Sequence, residues 1–86
     1  MAYGIIALVM TMYLRIRDLR EDADLTQKQI AELLNTNQSN YSKTERGLKA
    51  LSMEEAVKLA QFYETSVDYL LGLTDQREPY PKSRRK

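Results

Sequence analysis

The sequence predicts an all-α domain of five short helices, and three observations carry that prediction. Two capping-box patterns, Thr26 with Gln29 and Ser52 with Glu55, each stand immediately before a run of residues with helical periodicity. Within the runs, apolar residues recur every three or four positions, the spacing of a single helix face. Between the runs lie short breaks at Asn35 to Asn37, Gly47 and Gly72, residue types that end one helix and allow the next to start.

The first charge in the chain is Arg15, so residues 1–14 are an uncharged, mostly apolar run. It is too short for a spanning helix, which needs about 20 apolar residues, and it lacks the basic start and small-residue cleavage site of a signal peptide. Ile5, Val9, Met12, Ile16, Leu19 and Ala23 fall on one helical stripe. Residues 1–12 therefore read equally as an extension of the first helix or as a leader, with the helix proper starting near Met12. Tyr13 to Ala23 form a charged amphipathic helix, closed by Asp24 and Leu25.

The second helix starts at Gln27, because Thr26 and Gln29 make the capping box and Leu25 with Ile30 has the spacing of a hydrophobic staple. Ile30, Ala31, Leu33 and Leu34 are expected on its buried side. Asn37 caps a third helix, short and mostly polar, from Gln38 to Arg46, which Gly47 stops. Met53, Ala56, Val57, Ala60 and Tyr63 are expected to line the core face of the fourth. Ser66 caps the fifth, Val67 to Leu71, with Leu70 and Leu71 as its anchor and Gly72 as its end. Residues 74–86, with two prolines and the cations Lys82, Arg84, Arg85 and Lys86, read as a disordered basic tail.

The chain has 86 residues, 43% hydrophobic and 29% charged, enough for one modest core at residues 13–73. It contains no cysteine and no histidine. That removes disulfides, most zinc sites and most nucleophile and base pairs, so no metal and no cofactor is expected. The only tempting carboxylate pairs, Glu54 with Glu55 and Asp22 with Asp24, are one or two residues apart and diverge on a helix, which argues against an enzyme. The formal net charge of +1 conceals a division. Residues 26–51 carry Lys28, Lys43, Arg46 and Lys49 against Glu32 and Glu45, whereas residues 52–76 carry Lys58 against Glu54, Glu55, Glu64, Asp68 and Asp75. One end of the domain suits phosphates and the other repels them.

Residues 26–47, TQKQIAELLNTNQSNYSKTERG, combine a capped helix, an Asn-rich turn and a second helix with a polar outer face. The segment resembles the Cro and lambda-repressor-like helix-turn-helix family, also called XRE-like, and the likeness extends over about residues 14–73. The resemblance implies a five-helix lambda-repressor-like DNA-binding domain with the helix-turn-helix at helices 2 and 3. It further implies a bacterial or phage transcriptional regulator, most simply a repressor, acting in the cytoplasm at the nucleoid. Its partners would be double-stranded DNA and a second copy of the chain, since two half-sites one turn apart match a two-fold dimer.

In that setting Gln38 is the first candidate for base readout, because its amide matches the N6 and N7 edge of adenine. Ser39, Ser42 and Lys43 are the other base candidates, with Lys43 equally able to hold a phosphate. Gln27 matches a family position that meets phosphate, and Asn37, Asn40, Arg46 and Lys49 are further phosphate candidates. Arg20 and Glu45 occupy the positions of a family ion pair that braces helix 1 against the recognition helix. Compared with the family, the bulk at Tyr41 and Thr44 is exchanged, and volume-conserving exchange predicts compensated packing. A second reading of the same fold is a protein-interaction module, such as an antitoxin bound to its toxin or a partner of an anti-repressor.

Overall fold

The computed structural model describes residues 15–81, which form five helices and no strand. α1 covers residues 15–22, α2 Gln27–Leu33, α3 Gln38–Glu45, α4 Met53–Phe62 and α5 Val67–Leu70. Both readings of residues 1–12 lie outside the described residues, as does the basic cluster at residues 82–86.

The helix starts follow from local hydrogen bonds. Thr26 Oγ1 accepts from the Gln29 N–H at 3.1 Å, while Gln29 Oε1 accepts from the Thr26 N–H at 2.8 Å. Ser52 and Glu55 repeat that reciprocal box at α4, and Asn37 and Ser66 cap α3 and α5 with one bond each. A cap of this kind stabilises a helix by about 1 kcal/mol.

The helix ends share one device. Asp24, Asn35, Gly47, Glu64 and Gly72 all have φ between 54° and 76°. After each, the next N–H turns back to a carbonyl five residues earlier, as in Leu25 to Arg20, Thr36 to Ala31 and Leu48 to Lys43. This is the Schellman closure, which satisfies carbonyls that the helix itself leaves open. Glu64 is the costly member, because the left-handed region disfavours a Cβ and Glu, unlike the Asp and Asn at the other two non-glycine positions, is not a residue type that visits it readily.

The core gathers Ile16 and Leu19 from α1, Ile30, Ala31 and Leu34 at α2, Tyr41 from α3, Leu59, Ala60 and Tyr63 at α4, and Leu70 from α5. Leu33 and the α4 stripe depart from the sequence pattern. Leu33 keeps 37% of its surface, and Met53 and Val57 are exposed, while Leu59 is fully buried. At roughly 100° per residue, Leu33 stands about 100° from the centre of the buried side of α2. The α4 stripe is centred on Ala56, Leu59, Ala60 and Tyr63, about 50° from where the sequence pattern had put it.

Residues 74–81, expected to begin the disordered tail, run back along the α4–α5 corner. The buried Thr65 hydroxyl donates to the Arg77 carbonyl at 2.5 Å, and the Tyr80 hydroxyl donates to Asp68 Oδ2 at 2.6 Å. Arg15 at the head of described α1 donates to the carbonyls of Tyr69 and Thr74 at 3.2 and 2.8 Å, and its guanidinium sits 4.1 Å from the Tyr69 ring centroid. The bonds to the Thr74 and Arg77 carbonyls supply partners for backbone groups of this segment.

Candidate nucleic-acid interface

α2 and α3 are joined by Leu34 to Asn37, and the turn is fixed by hydrogen bonds rather than by length alone. The Asn35 and Thr36 N–H groups close α2, the Asn37 side chain opens α3 through the Asn40 N–H at 2.8 Å, and Asn40 Nδ2 reaches Thr36 Oγ1 at 3.3 Å. Two helices held in this way present the second as a ridge with one face packed and the other free.

The packed face of α3 is Tyr41, Thr44 and Glu45, all buried. Tyr41 is a core side chain and the Thr44 hydroxyl bonds back to the Asn40 carbonyl at 3.2 Å, so the large residue and the small one both fit as they stand. With that face turned inward, Ser39, Lys43 and Arg46 point outward, about opposite the core. Gln38 is exposed at the N-terminal end of the same ridge, and Ser42 is half-buried beside it. Arg46 Nε bonds the Ser42 carbonyl at 3.3 Å, which leaves its remaining N–H groups facing solvent. Asn37 and Lys49 are exposed near the two ends of α3. Asn40 is half-buried and already occupied by Thr36, and it lies on the flank of α3 away from Gln38.

Behind the ridge sits an ion pair between α1 and α3. Arg20 Nε donates to Glu45 Oε2 at 2.5 Å and Nη2 to Oε1 at 3.2 Å, with side-chain exposures of only 12% and 2%. Arg20 Nη1 also donates to the Leu25 carbonyl at 2.8 Å, tying the α1–α2 connection into the same group. Gln27 Nε2 donates to Glu45 Oε1 at 3.1 Å. Burial works against ionisation of Glu45, but the hydrogen bonds from Arg20, the neighbouring Tyr41 hydroxyl, the Gln27 amide and the Arg20 charge together outweigh burial and hold the carboxyl below its ordinary value. The hydrogen bond to Glu45 raises the Arg20 value against the cost of its own burial.

Two buried phenols lie near this carboxylate. Burial pushes both up, Tyr63 to about 12 and Tyr41 further, and the Glu45 charge adds to each. Neither hydroxyl makes a hydrogen bond of acceptable geometry, so Tyr41 feels Glu45 as a neighbouring charge rather than as a well-formed partner.

The candidate residues thus divide by position. Ser39, Lys43 and Arg46 share the exposed side of α3, Gln38 and Lys49 are exposed at its start and in the loop that follows it, Arg20 and Glu45 lie beneath, and Gln27 stands between the two groups. The bond from Gln27 to Glu45 was not legible in the sequence, because 18 residues separate partners that no local spacing rule connects. Among the described residues, no group of three acidic side chains is placed to hold a metal ion, and no helix is long and apolar enough to cross a membrane.

The family model described as helix-turn-helix matches residues 16–70. Among curated proteins, the chain is 43% identical over 72 residues to the uncharacterized HTH-type transcriptional regulator YobD of Bacillus subtilis, a match covering 84% of this chain and 62% of that protein. It is 38% identical over 63 residues to the HTH-type transcriptional regulator ImmR of the same organism, covering 73% and 50%. The cryptic phage CTXphi transcriptional repressor RstR of Vibrio cholerae is 33% identical over 58 residues, covering 67% and 52%. The chain therefore spans between half and about three fifths of the length of these relatives. No solved structure matches the chain at a comparable level.

Proposed function

The chain belongs to the helix-turn-helix family, and on that premise we propose that it is a sequence-specific regulator of transcription, not an enzyme, that binds double-stranded DNA with residues 38–46 in the major groove. The supporting observation is the ridge of α3, whose outward side chains are all polar and whose inward ones are locked by Tyr41, Thr44 and the Arg20–Glu45 pair. A recognition element needs both properties, since base readout demands hydrogen-bonding groups held without rotamer freedom.

In this reading Gln38 pairs with an adenine edge, Ser39, Ser42 and Lys43 contact neighbouring bases, and Gln27, Asn37, Asn40, Arg46 and Lys49 meet the sugar-phosphate backbone. α3 has eight residues and is about 12 Å long, enough for one half-site only. A homodimer on a palindromic operator, its half-sites about 34 Å apart, supplies the rest of the site. Repression is the sign of regulation suggested by the relative named as a repressor. The chain would act in the bacterial cytoplasm.

Duplexes selected from a random pool by the full chain, followed by gel shift at fixed salt, test this. The selected sites are expected to contain two related half-sites. The double variant Gln38→Ala with Lys43→Ala is expected to lose about 1 to 3 kcal/mol per base contact and with it the preference for the selected site. Equal retardation of selected and scrambled DNA by the unaltered chain would overturn specific readout. A chain that retards neither would leave the protein-interaction use of the fold. Sedimentation with and without residues 1–11 tests whether the apolar start contributes to self-association, and an unchanged mass would exclude it.

A further inference from the structure

The DNA-binding reading above gives Gln27 a phosphate to hold, yet its amide is already engaged with the end of α3. Gln27 Nε2 lies 3.1 Å from Glu45 Oε1, the oxygen that also accepts from Arg20 Nη2 at 3.2 Å. An ionised carboxylate is an acceptor only, so the NH2 end of the amide is the end that must face it. That nitrogen carries two N–H groups. One is donated to Glu45, which leaves the other without a partner among the described residues, on a residue that is only half-buried.

We infer that Gln27 is a positioning residue for the recognition helix, whose single amide nitrogen joins the DNA backbone to the last residue of α3. The bond from Gln27 to Glu45 connects the first residue of α2 with the last of α3, so the relative tilt of the two helices is set at both ends, by the Asn35–Asn37 turn at one and by this bond at the other. Because the amide is held in the free protein, offering its second N–H to a phosphate oxygen requires little further loss of side-chain freedom. One chain of hydrogen bonds, from phosphate through Gln27 and Glu45 to Arg20, thereby links phosphate engagement to the placement of α3, which carries Gln38 and Lys43.

This role differs measurably from that of a plain phosphate contact. A plain contact weakens all DNA alike, whereas a positioning contact weakens the selected site more than scrambled DNA. The test uses the full chain as Gln27→Met, similar in length without donors, and as Gln27→Lys, which restores a donor able to reach Glu45. Affinities are read on a duplex selected by the unaltered chain and on its scrambled counterpart. The Glu45 side-chain carboxyl is titrated by NMR in the absence of DNA. The other groups facing that carboxyl, Arg20 of α1, Tyr41 of α3 and Tyr63 after α4, are unchanged in both variants.

For Gln27→Met, the ratio of selected to scrambled affinity is expected to fall about tenfold, the size of a lost hydrogen bond to a charged group, and Glu45 is expected to titrate at higher pH. Gln27→Lys is expected to recover most of the ratio and return the Glu45 titration to or below its original position. Equal loss on both duplexes, or an unmoved Glu45 titration in Gln27→Met, overturns the inference. Failure of the unaltered chain to prefer any duplex would overturn the proposed function instead, and the DNA-free titration would still decide whether Gln27 braces Glu45.

Discussion

Arg15 and Arg20 stand five residues apart on α1, and each pairs with a carboxylate drawn from far along the chain. Arg20 meets Glu45 with both side chains almost wholly buried and with two nitrogens engaged on the carboxylate. Arg15 meets Asp75 through one nitrogen at 3.1 Å, and the Asp75 side chain is fully exposed. The difference teaches that the surroundings of a pair, more than the pairing itself, decide its worth. A charge in water is already well solvated, whereas a buried one depends on its partner. Arg15 secures the α1–α5 corner chiefly through the Tyr69 and Thr74 carbonyls and its stacking on the Tyr69 ring. Arg20 secures α3 through the ion pair.

Removing one partner of the buried pair gives the largest expected effect. Arg20→Ala leaves Glu45 inside without its counter-charge and is expected to lower unfolding free energy by about 3 to 5 kcal/mol in urea titration. A loss below about 1 kcal/mol would erase the contrast between the two arginines. Replacing both partners, as Arg20→Met with Glu45→Met, is expected to cost less than Arg20→Ala alone, because no uncompensated charge remains.

Acid titration sharpens the same point. The Glu45 carboxyl is held below its ordinary value in the fold, so the unfolded chain binds more protons in the interval between the two values. The stabilisation is therefore fully present above the ordinary carboxylate range, about pH 4, and is lost as pH falls through the depressed value. Glu45→Gln is expected to be less stable at neutral pH and to flatten this part of the acid profile. Parallel acid profiles for the two proteins would count against it.

At the other corner the effects are smaller. Arg15→Ala is expected to cost about 1 to 2 kcal/mol from the lost carbonyl bonds and ring contact. Asp75→Ala, which leaves those contacts in place, is expected to shift the thermal midpoint by no more than measurement error. A Tm drop for Asp75→Ala as large as that for Arg15→Ala would show that the exposed carboxylate matters after all.

Legibility in the sequence followed the range of the interaction. The Thr26 and Ser52 caps were read from residues three apart, and the Asn37 and Ser66 caps from a single residue type at a break, and a helix starts after each. The outward placement of Ser39 and Lys43 on α3 and the burial of Glu45 were equally legible, because a short helix with one packed face leaves little choice of rotation, whereas Gln38 is exposed by its place at the helix start. The exposure of Met53 and Val57 was not, since a stripe that includes flanking apolar residues fits an α4 turned by half a residue step. Nor was the return of residues 74–80, whose polar, proline-containing sequence carries no periodicity. It is held by Arg15, Thr65 and Asp68, from 12 to 60 residues away.

By itself the sequence determined where each helix starts and stops and which end of the domain is basic, because capping, left-handed closure and charge are set by residues close together in the chain. Tertiary structure alone decided which apolar residues Leu59 displaced from the core, which arginine was buried with its carboxylate, and that the Gln27 amide turns to Glu45. Each of those depends on the angle at which two helices meet. That angle is fixed by the summed packing of side chains from all five helices, and no single stretch of sequence contains it.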